Sequence, residues 1–186
     1  SLVAVDDAGT PYVWDARTAM LRTTMPRGVP ATITGVGLLL FATRSGTDVV
    51  VPSTGERLYT LETSRGIVRH GRVTSRFDAT SDLERIATVD PESVTLWDGT
   101  TGVPVTRIAE SRVQLIDFSP DGTVLLTASS RGVIRTWDSR SGEPLVNFAG
   151  YSTPLRLATF SPDGRVLVAA TASDRDRGAV WDTETG

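Results

Sequence analysis

Residues 119–142 read SPDGTVLLTASSRGVIRTWDSRSG. In the opening Ser119-Pro120-Asp121-Gly122, proline presets φ at the second position and glycine accepts the positive φ that other residues resist. The four residues therefore read as a tight connection between antiparallel strands. The flanking segments VQLIDF, TVLLTAS and GVIRTW are short and rich in β-branched and apolar residues with partial alternation, as expected of strands half or fully buried. No helical 3.6-residue period competes with that reading.

The same pattern recurs through the chain. Trp-Asp stands at Trp14-Asp15, Trp97-Asp98, Trp137-Asp138 and Trp181-Asp182, and the last three run on to a glycine as WDGTTG, WDSRSG and WDTETG. VVPSTG at 50–55 fits the frame with Val50 and Val51 in place of the pair, giving intervals of 36, 47, 40 and 44 residues. SPDG returns at 161–164, again about 18 residues before a tryptophan. FDATSDLERIATV, from Phe77, occupies the equivalent place before Trp97 and has lost the Pro-Asp-Gly. A period of this length marks stacked repeats. Each unit is expected to hold four strands: an inner one such as LRLATF, a second such as VLVAAT, a third ending at Trp-Asp, and an outer one such as PLVNFA.

These motifs resemble the WD-repeat family, whose four-stranded blades surround a central axis. The resemblance is strongest over 94–186 and weakest over 1–64. It implies an all-β propeller segment spanning 1–186, with repeats near 1–14, 15–51, 52–97, 98–137 and 138–182. Counting strands gives an incomplete arc of about five blades, three complete and two partial. The family's buried network of histidine, Ser/Thr, aspartate and tryptophan is expected to be broken. Gly150-Tyr151 replaces Gly-His, and the usual turn aspartate is Pro91, Arg131 or Arg175. The blades should then be held mainly by apolar packing between their faces.

Composition narrows the function. The 186 residues contain no cysteine and one histidine, His70, which excludes disulfide frameworks, thiolate chemistry and multi-histidine metal sites. All 19 basic residues are arginine, the codon signature of a GC-rich, actinobacterial type of genome, and the net charge of −3 predicts no bulk attraction to nucleic acid or membrane. No apolar run is long enough to span a bilayer and no basic leader is present, so a cytoplasmic location is expected. Paired carboxylates such as Asp174 and Asp176 lack the ligand spacing of a calcium loop. No phosphate-binding glycine loop is present, and no cofactor is expected.

Antiparallel alternation places the SPDG and WDxxxG turns at one end of every sheet and the remaining loops at the other. Motif aspartates make the first end acidic, and arginines collect at the second. The candidate partner-binding residues are Arg69, His70, Arg72, Arg112, Arg131, Tyr151, Arg175 and Arg177, which suit an acidic or phosphorylated protein surface. Capping of turns by the motif aspartates explains the asymmetry without any partner. The expected role is a non-enzymatic interaction scaffold or sensor in a larger bacterial signalling or regulatory protein. Remaining blades would come from the same chain or a second one. The alternatives are a propeller hydrolase using inner-strand groups such as Arg76, Asp117 and Arg156, or a structural spacer.

Overall fold

A computed structural model describes residues 2–5, 10–15, 17–24, 29–33, 38–42, 46–51, 54–63, 77–148, 153–171 and 178–186. They contain strands and turns and no helix. The strands form five antiparallel sheets in two compact units, residues 1–75 and 76–186. The expected all-β class holds, as does the division into three four-stranded and two three-stranded sheets.

In the first unit, β1 (Leu2–Val5), β2 (Pro11–Trp14) and β3 (Leu21–Thr24) make a three-stranded sheet in chain order. The second sheet follows as β4 (Val29–Ile33), β5 (Leu39–Ala42), β6 (Thr47–Val51) and β7 (Glu56–Leu61). Val50, which takes the tryptophan position, is buried, as are Val49, Leu40 and Leu61 of the same sheet. Its turn has lost the aspartate yet keeps the backbone bond from Gly55 N–H to the Val51 carbonyl, 2.8 Å. The frame thus survives loss of both signature residues, because the turn is closed by its main chain.

The second unit holds three sheets. The third is β8 (Phe77–Ala79), β9 (Arg85–Asp90), β10 (Ser93–Asp98) and β11 (Pro104–Ile108). The fourth is β12 (Val113–Phe118), β13 (Val124–Ser129), β14 (Ile134–Asp138) and β15 (Pro144–Phe148). The fifth is β16 (Leu155–Phe160), β17 (Val166–Thr171) and β18 (Ala179–Asp182). Alternation gives each sheet two faces, and within this unit successive sheets meet face to face. Ala87, Val89, Val94 and Leu96 of the third sheet meet Val113, Phe118, Leu125 and Trp137 of the fourth. Leu126, Ala128 and Ile134 of the fourth meet Ala158, Phe160, Leu167 and Ala169 of the fifth, where Phe148 and Trp181 pack edge to face at 6.0 Å.

Apolar packing is joined by more polar ties than the sequence suggested. Thr88 Oγ1 accepts the Trp97 indole N–H at 2.8 Å, and Thr127 Oγ1 accepts that of Trp137 at 2.9 Å, both buried. The indole end of the family's network is therefore intact in two sheets. Between sheets, Asp78 Oδ2 accepts the Phe118 N–H at 2.9 Å. Asp117 Oδ2 accepts the Phe160 N–H at 3.0 Å and the Thr159 hydroxyl at 2.7 Å. An inner-strand aspartate thus clamps the next sheet's inner strand, in addition to the apolar packing that the sequence led one to expect.

The loss of Pro-Asp-Gly from FDATSDLERI is only partial. Thr80 Oγ1 donates to Asp82 at 2.6 Å, as Ser119 does to Asp121 and Ser161 to Asp163. TSDL at 80–83 is therefore the counterpart of SPDG, and the turn aspartate is kept. Only proline and glycine are lost, with Leu83 in the left-handed region at φ 63° where Gly122 has φ 73°.

Candidate functional site

The two ends of the second unit differ in how their charges are engaged. At the end carrying the SPDG and WDxxxG turns, each motif aspartate is bound into its own turn. Asp138 Oδ1 accepts N–H groups of Arg140 and Ser141, at 3.0 and 2.8 Å, and Asp98 accepts those of Thr100 and Thr101. Asp182 treats Glu184 and Thr185 the same way. These donors stabilise the ionised carboxylate. Hydroxyl and amide donation from Thr100 and Thr101 takes the Asp98 carboxyl down to about 2. Asp82, Asp121, Asp138, Asp163 and Asp182 are lowered for the same reason. In the first unit Asp15 is also lowered, by its Arg22 partner first and then by turn amides.

A small cleft of about 30 Å³ lies at this end between the turns of the third and fourth sheets. Thr80, Asp82, Arg85, Asp121, Ser139 and Arg140 line it. Arg85 is spent on main-chain carbonyls, its Nε donating to Ser139 O at 3.3 Å and Nη1 to Glu84 O at 2.8 Å. The acidic end is accordingly built from turn-capping groups.

At the opposite end the structure places two of the sequence-predicted residues, Arg112 and Arg131. Arg112 lies in the loop into β12 with φ 60°, a conformation costing an ordinary residue about 1–2 kcal/mol. Two bonds hold it there: its N–H donates to Pro91 O at 3.2 Å, and its carbonyl accepts Ser130 N–H at 2.9 Å. The residue bridges the β9–β10 turn of one sheet and the β13–β14 turn of the next. Arg131 follows Ser130, with its N–H on Ser129 Oγ at 3.3 Å, and both arginines are exposed. Arg69, His70, Arg72, Tyr151, Arg175 and Arg177 lie outside the described residues.

Two carboxylates assigned to this end from the sequence also bear on its charge. Glu110, 8 % exposed, accepts Arg135 Nη1 of the neighbouring sheet at 2.5 Å, so this arginine is engaged internally. Glu92 stands in the turn that Arg112 reaches, giving that part of the surface mixed charge. Glu110 was legible only as a charged loop residue; its burial depends on how two sheets meet.

The inner-strand groups weighed for hydrolysis are differently placed. Asp117 is the inter-sheet clamp, Arg156 is exposed, and Arg76 lies outside the described residues. Among the described residues no cluster of three or more His, Cys, Asp or Glu side chains is arranged to hold a metal. No described helix is long and apolar enough to cross a membrane.

Residues 92–138, from the β9–β10 turn through the tryptophan of the fourth sheet, match the family described as WD domain, G-beta repeat. That stretch is one match to a WD repeat. The chain is also similar to the serine-threonine kinase receptor-associated protein of Dictyostelium discoideum, at 30% identity over 107 residues. That alignment takes in 56% of this chain and 35% of the relative, so the chain spans about a third of the curated relative it matches.

Proposed function

We propose that this WD-repeat chain is a protein–protein interaction scaffold without chemistry of its own, and that the loops opposite its capped turns receive an acidic or phosphorylated protein surface. The observation carrying this reading is Arg112, kept in a costly backbone conformation by bonds to two successive sheets and exposed beside the Arg131 turn. Guanidinium groups bind carboxylates and phosphates through paired, charge-assisted hydrogen bonds. At the other end the aspartates already serve their own turns. The relative's description as receptor-associated accords with an interaction role.

The reading extends to Arg69, His70, Arg72, Tyr151, Arg175 and Arg177, with Tyr151 as an aromatic anchor. It takes 1–186 as one propeller segment with repeats near 1–14, 15–51, 52–97, 98–137 and 138–182. The parent is proposed as a cytoplasmic bacterial signalling or regulatory protein, supported by the exclusive use of arginine over lysine. The test is Arg112→Glu with Arg131→Glu, measured by titration against a phosphorylated peptide and its unphosphorylated form. Affinity for the phosphorylated form should fall at least about tenfold and its salt dependence should flatten. Unchanged affinity and salt slope would leave these arginines as solvated loop charge.

A further inference from the structure

Among the described residues, three other than glycine have positive φ: Ala19, Leu83 and Arg112. Ala19 stands five residues after Trp14, where the turns after Trp97, Trp137 and Trp181 have Gly102, Gly142 and Gly186 in the same left-handed region. Leu83 likewise stands where the later turns have Gly122 and Gly164. Those two residues take their strain from a recurrent turn. Arg112 does not, because it falls in the loop 109–112 between β11 and β12, and only contacts local to that loop can maintain it.

The loop is fastened at two points. Arg112 is held by its own main chain, between Pro91 O and Ser130 N–H. Two residues earlier, Glu110 donates its N–H to Ile108 O at 2.9 Å, and its carboxylate accepts Arg135 Nη1 at 2.5 Å. Arg135 lies on β14, paired across the sheet with Thr127 and Asn147, so its backbone is fixed from both sides. The Glu110 side chain is 9% exposed and that of Arg135 36%. A carboxylate so buried is unfavourable without a cationic partner, so the loop keeps its seat only while this pair is made.

We propose that Glu110 is a positioning residue for the arginine-bearing loops: its ion pair with Arg135 seats the loop 109–112 and thereby keeps the exposed Arg112 set to receive an acidic or phosphorylated protein surface. The inference deepens the interaction reading above and rests on it. A loop already ordered loses less freedom when a partner binds, which is how the pair acts on affinity without touching the ligand. The sign of that action separates it from simple charge. Removing a negative group close to where an anion lands strengthens binding by Coulomb's law alone. Glu110 acting through Arg112 makes its removal weaken binding.

The test uses the full natural chain and two readouts. In Glu110→Gln, hydrogen exchange at the Arg112 and Ser130 amides should quicken at least about tenfold, with the β13 amides unchanged. Titration with an acidic phosphoserine peptide should show affinity at least about threefold weaker, and no further loss when Glu110→Gln is added to Arg112→Ala. Should Glu110→Gln fail to fold, Arg135→Gln cuts the same pair from its more exposed side, and the exchange readout and the cycle with Arg112→Ala apply to it unchanged. Unaltered exchange overturns the positioning role. So does a peptide affinity that holds or rises in Glu110→Gln while Arg112→Ala lowers it. Quickened exchange with an affinity that Arg112→Ala leaves intact overturns the partner reading, and the role of Glu110 in capture with it.

Discussion

At the scale of single residues, the third sheet shows how a repeat tolerates loss of its signature. Leu83 stands where the fourth sheet has Gly122, in the left-handed region, and its side chain is 4% exposed. The room it needs comes from Gly99, where the fourth sheet has Ser139. A Cβ on Gly99 would lie 2.0 Å from the Leu83 carbonyl oxygen and 3.1 Å from Leu83 Cγ. In the fourth sheet Ser139 Oγ instead donates to Gly122 O at 2.6 Å. The two positions form a complementary pair, small against large. Gly99→Ser alone should therefore destabilise by about 2 kcal/mol or more, the range of an overpacked site. Adding Leu83→Gly should recover much of that loss, read as a positive coupling in a double-mutant cycle of denaturant midpoints. Simple additivity would refute the pairing.

The tryptophan clasp belongs to the same scale. Thr127→Val keeps the shape and removes the acceptor, leaving the buried Trp137 N–H unpaired at a cost of about 1–3 kcal/mol. In a chain of this size that is a fall of several degrees in the thermal midpoint, with a shift in tryptophan emission as its optical signature. The hydroxyl at position 127 was visible in the sequence, but nothing local told it apart from the many threonines that serve turns. Its partner is fixed only by the cross-strand register.

At the scale of elements, two sets of aspartates give opposite pH responses. Asp98 in its turn is held near 2, below the ordinary value near 3.8, so the unfolded chain binds more protons between those values. Its contribution is present above about pH 4 and is lost as pH falls toward 2, and the other turn aspartates share that sign. Asp78 differs because burial pushes its carboxyl up, against the amide donated by Phe118 and with Asp117 adding repulsion. The folded state there binds the extra proton, so its contribution declines as pH rises through the raised value. Asp78→Asn keeps an acceptor for Phe118 N–H without the buried charge. It should match or exceed the parent's stability at pH 7, and the advantage should shrink on acidification. Asp98→Asn should instead move acid unfolding to higher pH. Reversal of either sign in pH-dependent thermal melts would refute the assignment.

Those elements also show what a sequence discloses. Turns and strand alternation are short-range, so SPDG, WDxxxG and the apolar runs between them predicted five sheets and their strand counts. Asp117 looked like a solitary carboxylate in an apolar strand, a candidate for channel chemistry, because the amide it binds is about 40 residues away. The turn aspartate of TSDL went unrecognised since Asp82 has lost both the proline before it and the glycine after it. The arginine end is harder still, as it is assembled from loops whose mutual placement no repeat period specifies.

At the scale of the molecule, the sheets of the second unit form a nearest-neighbour series in which each stabilises the one before it. Among the described residues of this unit the third and fifth sheets each pack on one neighbour, and the middle sheet depends on both flanks. The partner reading belongs here too, since Arg112 is set by two sheets together. Weakening the third–fourth contact, as Asp78→Ala would by orphaning Phe118 N–H, should loosen Arg112 and weaken phosphopeptide capture without touching a contact residue.

On the proposed reading, in which an acidic partner docks at the arginine-bearing loops, the capped turns would also govern how that partner arrives. Their carboxylates stay ionised throughout the physiological pH range, so the end that bears them keeps a fixed negative field reaching about one Debye length, roughly 8 Å at physiological ionic strength. An acidic ligand diffusing toward the protein is turned away from that end before contact, which biases productive encounters toward the opposite one. The same groups that close the turns thereby act as an orientation filter, felt in association rates and erased by added salt.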